Sequence, residues 1–188
     1  MTNIPLSIAA KMDEYPPGCS VSIELNMNTY FDVIRGLVDI FAKQKDAYVF
    51  YISATIPSNK VMDLLELFEV DISRIYFVDC IAHIMMGATR TTDRILYVES
   101  PTMLETIMLK VEFLTRKYRD KTPIVVLDSV NSLAIHNDLK ILSEFLHIFV
   151  TSLRGKGAYM IILSLKDQST PEMAAMLNLV SDEVITVE

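Results

Sequence analysis

The sequence predicts a three-layer α/β/α domain built on a mostly parallel central sheet. Two observations carry this: short runs of β-branched and aromatic residues alternate with longer segments of helical periodicity, and several of the short runs are apolar on both faces. A strand with one wet face alternates apolar and polar residues, whereas one apolar throughout is covered on both sides, as in a parallel sheet between two helix layers. The 188 residues, 51% hydrophobic, suffice for one domain over 1–188 with a full core and no disulfides or metals. Residues 1–18 read as an N-terminal extension and turn.

In chain order, Pro16-Pro17-Gly18-Cys19-Ser20 is a rigid turn delivering the chain into a first strand, Val21 to Leu25. Thr29 is placed to N-cap the next helix with Asp32 in the capping-box position, and Val33, Ile34, Leu37, Val38 and Phe41 form its apolar stripe. A second strand, Ala47 to Ser53, leads to a helix from Ser58 that buries Val61, Leu64, Leu65 and Phe68. A third strand covers Arg74 to Asp79. The stretch His83 to Arg94 holds Gly87 and Thr89-Arg90-Thr91-Thr92-Asp93-Arg94 with neither period, and reads as a mobile surface loop suited to partner contact.

A fourth strand, Ile95 to Val98, is followed by Ser100-Pro101, a cap and first-turn proline for a helix with Leu104, Ile107, Met108, Val111 and Leu114 inward. Ile124 to Asp128 is the fifth strand. Asn137 or Asp138 caps a helix with Leu139, Leu142, Phe145, Leu146 and Phe149 inward, ended by Gly155 or Gly157. Tyr159 to Leu165, a short helix from Thr170-Pro171, and a last strand Glu183 to Val187 complete the pattern.

A net charge of −7 disfavours a nucleic-acid or anionic-membrane surface, which needs clustered Lys and Arg. The basic run Arg116-Lys117-Tyr118-Arg119-Asp120-Lys121 falls at a helix C-terminus, where cations complement the helix dipole. No apolar stretch has the length of a membrane span, and Met1 to Ala10 lacks the pattern of a secretory signal, so a soluble, cytoplasmic protein is expected. Cys19 and Cys80 sit in or beside apolar strands and read as core residues. His83, His136 and His147 share no metal-ligand spacing, Cys80 with His83 makes no tetrahedral set, and no nucleophile–base pair stands out, so neither a metal nor a catalytic residue is assigned.

The connection Leu25-Asn26-Met27-Asn28-Thr29 contains no glycine and no lysine. A phosphate-binding loop at this strand-to-helix junction needs glycines so that backbone N–H groups can wrap the phosphates, and a Lys-Ser/Thr pair for the terminal phosphate and Mg²⁺. Pro16 to Ser20 lacks the lysine and second glycine and precedes the strand; Gly155-Lys156 lies at the wrong end of a helix. Asp32 puts a carboxylate into the field an anion would use, and Glu24 adds a second acid nearby. The side chains of Asn26, Asn28 and Thr29 suit turn formation and capping better than binding of a small polar ligand. Ile124-Val125-Val126-Leu127-Asp128-Ser129 has the form of a Walker B strand, whose acid helps hold hydrated Mg²⁺ where a P-loop is present. Alone, such an aspartate commonly anchors the following turn.

Taken together these segments resemble the RecA/KaiC-like ATPase core, and more closely the archaeal KaiC-like proteins with a degenerate P-loop. The resemblance runs from about Cys19 to the C-terminus through Val21-Ser22-Ile23-Glu24-Leu25, Tyr48 to Ser53, Ile75 to Cys80, Tyr159 to Leu165 and Glu183 to Val187. Its most specific part is Val126-Leu127-Asp128-Ser129-Val130-Asn131-Ser132-Leu133, similar to the KaiC-type strand and its Asp-Ser turn. Where that family carries catalytic glutamates after the second strand, this chain has Ser53, Ala54 and Thr55. The resemblance therefore implies a vestigial nucleotide crevice at Asn26, Asn28, Thr29, Asp128 and Ser129, with no catalytic residue and no cofactor. The implied role is that of a pseudo-ATPase, not an enzyme, acting in regulation or signalling on a protein partner, and through a homodimer or higher homo-oligomer. The alternative is a nucleotide or small-molecule module using the crevice at the strands' carboxyl ends without robust hydrolysis.

Overall fold

The computed structural model describes residues 3–87 and 92–187. Among these residues seven strands form one sheet in the order β4-β3-β2-β5-β6-β1-β7. They are β1 (Ser20–Leu25), β2 (Tyr48–Ser53), β3 (Ile75–Asp79), β4 (Ile95–Tyr97), β5 (Pro123–Asp128), β6 (Tyr159–Leu165) and β7 (Glu183–Thr186). Every pair of neighbouring strands is parallel. The two-sided apolar runs explain this: β5 and β6 are buried along their whole length, so no residue on them had to be polar for solvent. Successive strands β1 and β2 are separated by β6 and β5, and β5 occupies the middle of the sheet.

The helices are α1 (Ile4–Asp13), α2 (Tyr30–Arg35), α3 (Ala42–Gln44), α4 (Ser58–Leu67), α5 (Ala82–Met86), α6 (Leu104–Lys117), α7 (Val130–His136), α8 (Leu139–Arg154) and α9 (Pro171–Val180). Between α2 and α3 the helix continues with π-type turns over Gly36–Phe41. One apolar cluster joins α1, the helical run from α2 to α3, and α4 to one face of the sheet, through Ile8, Met12, Val33, Leu37, Phe41, Val61 and Leu65. A second joins α6, α7, α8 and α9 to the other face, through Ile107, Val111, Leu133, Leu146, Phe149 and Leu177. This is the three-layer arrangement. Among the described residues no helix is long and apolar enough to cross a membrane.

Several local expectations are corrected. The N-terminal extension contains a helix, α1, capped by the Asn3 side chain on the Leu6 N–H and carrying Pro5 in its first turn. Phe68 lies half-exposed at the end of α4, its ring under the Arg35 guanidinium at 5.0 Å, so the apolar stripe of that helix ends one turn early. Ser100 caps no helix: its hydroxyl accepts from Thr102 N–H in a turn, and α6 begins only at Leu104. The loop expected from His83 starts later, because Ala82–Met86 is helical; residues 88–91 of that expectation lie outside the described residues. Of the two candidate caps for α8, Asp138 accepts from Lys140 and Ile141 N–H, while Asn137 donates to the carbonyls of Pro101 and Leu133. The basic run closes α6, with Lys121 and Arg74 both paired to Asp46.

Gly36 fixes how α1 sits. A Cβ placed there meets the Pro5 carbonyl oxygen at 2.7 Å, Ile8 Cβ at 3.0 Å and Pro5 Cα at 3.1 Å. Two of those atoms are backbone and cannot turn aside, so Gly36→Ala is expected to cost about 1–3 kcal/mol through displacement of α1. Chemical denaturation of the purified variant measures this; an unchanged midpoint would show that α1 docks without the close approach.

Candidate functional site

The C-terminal ends of the central strands bring polar side chains together. Ser53 pairs in register with Asp79 on one side and Asp128 on the other, so all three lie in one row on one face of the sheet. All three are fully buried.

Asp128, at the end of β5, is the centre of the site. Its Oδ2 accepts a hydrogen bond from Tyr51 Oη at 2.6 Å and another from Tyr30 Oη. Register explains the first: Tyr51 pairs with Val126, two residues below Asp128 on the same face, so its hydroxyl reaches up to the carboxylate. The second comes from the chain's route after β1, since Tyr30 is the first residue of α2 and points down over the sheet. Both rings are buried to within 1% of complete. Burial pushes the Asp128 carboxyl above its usual range, and the two tyrosine hydrogen bonds oppose that. Burial and the neighbouring carboxylate push both tyrosine hydroxyls far up, so they remain donors. Oδ1 accepts nothing from the described residues, and neither does the Ser53 hydroxyl beside it.

The neighbouring groups are engaged in holding the fold. The Asp128 carbonyl accepts from Ala54 N–H at 2.7 Å and Thr55 N–H at 3.1 Å, which uses the amides that follow β2. Ser129 N-caps α7 on Ser132 N–H and shares a triangle of hydroxyls with Thr55 and Ser132 at 2.8–3.2 Å. The peptide between Asp128 and Ser129 is cis. Asn131 clamps the end of β6, accepting from Leu165 N–H at 2.7 Å and donating to its carbonyl at 3.2 Å. Asp79 accepts four hydrogen bonds, from Ser58 N–H and Oγ at 2.6 Å each, Ile81 N–H at 3.0 Å and Ala82 N–H at 2.9 Å.

At the junction after β1 the expected cap is corrected. Thr29 has helical backbone angles, φ −102° and ψ −4°, and makes no side-chain cap. A capping hydroxyl needs an extended residue to face the N–H groups ahead of it. Here the Thr29 hydroxyl and N–H both turn back to the Asn26 carbonyl, each at 3.1 Å, closing a turn over 26–29. Asp32 takes no part in a capping box. The junction thus has no threonine cap, and the Tyr30 side chain that follows it is buried with its hydroxyl on Asp128. Asn26 is half-buried and Asn28 exposed, while Asp128 and Ser129 are sealed below, so the five residues of the expected crevice do not share one open surface.

Sequence reasoning found Asp128 and missed Tyr30 and Tyr51. Tyr30 carried a weak signal, a large aromatic residue directly after a junction where small residues admit phosphate. Among the described residues no group of three or more His, Cys, Asp or Glu side chains is arranged to hold a metal. Burial raises the Cys19 thiol to about 11 and Cys80 further, consistent with packing residues.

The seven-stranded parallel sheet and its two helix layers form a three-layer α/β/α fold of the kind seen in KaiC-like proteins. It is similar in structure to KaiC-like protein PH0186 from the hyperthermophilic archaeon Pyrococcus horikoshii OT3, with a TM-score of 0.64 and 14% identity over 92% of this chain and 72% of that one. Within that fold the chain belongs to DUF7090, a family of unknown function whose model matches residues 7–187. No curated protein matches the sequence.

Proposed function

We propose that this KaiC-like domain is a noncatalytic pseudo-ATPase that acts in regulation or signalling through protein–protein contacts, self-association included. The observation that carries the reading is the pair of tyrosines on Asp128. A carboxylate that helps bind hydrated Mg²⁺ must present free oxygen lone pairs to water. Asp128 is fully buried, and one of its oxygens is committed to two hydroxyls. The glycine-free junction supports the same reading, because its Thr29 N–H is spent on the 26–29 turn. On this reading the outer surfaces of the domain are what it has to offer.

Titration calorimetry against ATP, ADP, GTP and AMP, with and without Mg²⁺, tests this together with an ATP turnover assay. No saturable heat and no turnover are expected. Saturable nucleotide binding that strengthens in Tyr30→Ala would favour a binding module, and ATP hydrolysis abolished by Asp128→Ala would overturn the noncatalytic reading.

A further inference from the structure

Two polar atoms at the strand ends are buried and bond to nothing among the described residues: Asp128 Oδ1 and the Ser53 hydroxyl. They are neighbours. Ser53 ends β2, Asp128 ends β5, and the two pair in register, which sets their side chains on one face of the sheet about 5 Å apart at the backbone. The groups that could have served them are committed elsewhere. Tyr30 and Tyr51 both donate to the other carboxylate oxygen, Oδ2. On the far side of Ser53, Asp79 takes its hydrogen bonds from Ser58, Ile81 and Ala82. The hydroxyls of Ser129 and Ser132 share their triangle with Thr55.

We propose that one internal water molecule bridges Asp128 Oδ1 and Ser53 Oγ, donating to the carboxylate oxygen and accepting from the serine hydroxyl. Protein interiors meet adjacent orphan groups of this kind with an ordered water, which makes about three hydrogen bonds to them and is costly to remove. The Ser53 hydroxyl does not reach Oδ1 itself, and a water about 2.8 Å from each atom spans such a gap. The chemistry of the pair selects this occupant. An anion would meet the Asp128 carboxylate, and an apolar guest would leave both groups unpaired. A hard cation takes about six oxygens, several of them charged, and among the described residues no three acidic, histidine or cysteine side chains gather to supply them. Thr55 gives the water a third neighbour, since its hydroxyl lies close enough to the Asp128 carboxyl to lower its pKa. Thr55 and Ser132 are only half-buried, so they mark the side from which the water exchanges with solvent. This site concerns how the interior is satisfied and stands apart from whether the domain binds nucleotide or partners.

A crystal structure of the intact protein that resolves waters, with oxygen-17 magnetic relaxation dispersion in solution, tests the site in the wild type and in Ser53→Val. The expected map has a single peak about 2.6–3.2 Å from both Oδ1 and Ser53 Oγ. Valine removes the hydroxyl and puts methyl groups toward the water's place, so Ser53→Val is expected to lose that peak and the dispersion amplitude of one long-lived water. If the valine variant does not fold, the wild-type map decides alone. Direct contact of Ser53 Oγ with Oδ1 and no peak between them overturns the proposal, as does a dispersion unchanged by Ser53→Val. A peak bound by more than four oxygens at about 2.3–2.5 Å is a cation and overturns the assignment to water. None of these outcomes bears on the nucleotide titrations that test the noncatalytic reading.

Discussion

A protein carrying Tyr30→Phe and Tyr51→Phe together is expected to lose about 4 kcal/mol of stability, against about 1.5 kcal/mol for either change alone. Each single variant leaves Asp128 Oδ2 one hydroxyl donor; the double variant leaves a fully buried carboxyl with none. The excess over the sum is the signature of two donors serving one acceptor. The pH dependence has a definite sign. Burial raises the folded-state pKa of Asp128 and the tyrosines hold it down, so removing them raises it further. A carboxyl raised on folding contributes stability that is fully present below its unfolded pKa and is lost as pH rises through the folded value. The double variant should therefore be closer to wild type at about pH 4 than at about pH 8. Urea denaturation of the four proteins at both pH values gives the cycle. A strictly additive deficit with no pH dependence would mean that the tyrosines contribute packing and not charge solvation.

The second large effect is expected at Asp79. Asp79→Ala strands three backbone N–H groups and the Ser58 hydroxyl, at the starts of α4 and α5. Leaving a buried donor unsatisfied costs about 1–3 kcal/mol, which puts the whole change at about 3–5 kcal/mol after some donors reach water. Asp79→Asn keeps an acceptor for one of the two donor pairs and should recover roughly half of the loss. Thermal unfolding of both variants decides between these roles; equal destabilisation by Ala and Asn would show that charge and not acceptor count matters there.

The strands were legible because their signal is local. A run such as Ile124 to Asp128 is apolar at every position, and only burial on both faces makes that tolerable. Helices with clean stripes, α8 above all, were equally readable. What escaped depended on tertiary contact. The helix α1 takes its place from a glycine 31 positions after Pro5 in the sequence, and a cap at Asn3 with a first-turn proline at Pro5 does not by itself specify where the helix docks. Thr29 suits a cap equally well from its sequence, because its hydroxyl can bond forward to an amide or back to a carbonyl. The residue type does not choose between them; the backbone angles do. At the site, Asp128 could be found from its strand. Tyr51 could not, because its partner follows from the register of β2 on β5, and register joins segments 77 residues apart.

A ligand site is a place where a protein leaves its own packing unfinished. Polar groups there are kept ready for a guest, and the chain forgoes the stability that filling the hollow would give. With Tyr30 and Tyr51 seated against Asp128, this domain has packed most of that part of its interior and leaves only Asp128 Oδ1 and the Ser53 hydroxyl without a partner there among the described residues. On the proposed reading, an attempt to engineer nucleotide binding at Asp128 would have to begin by unbuilding a portion of the core.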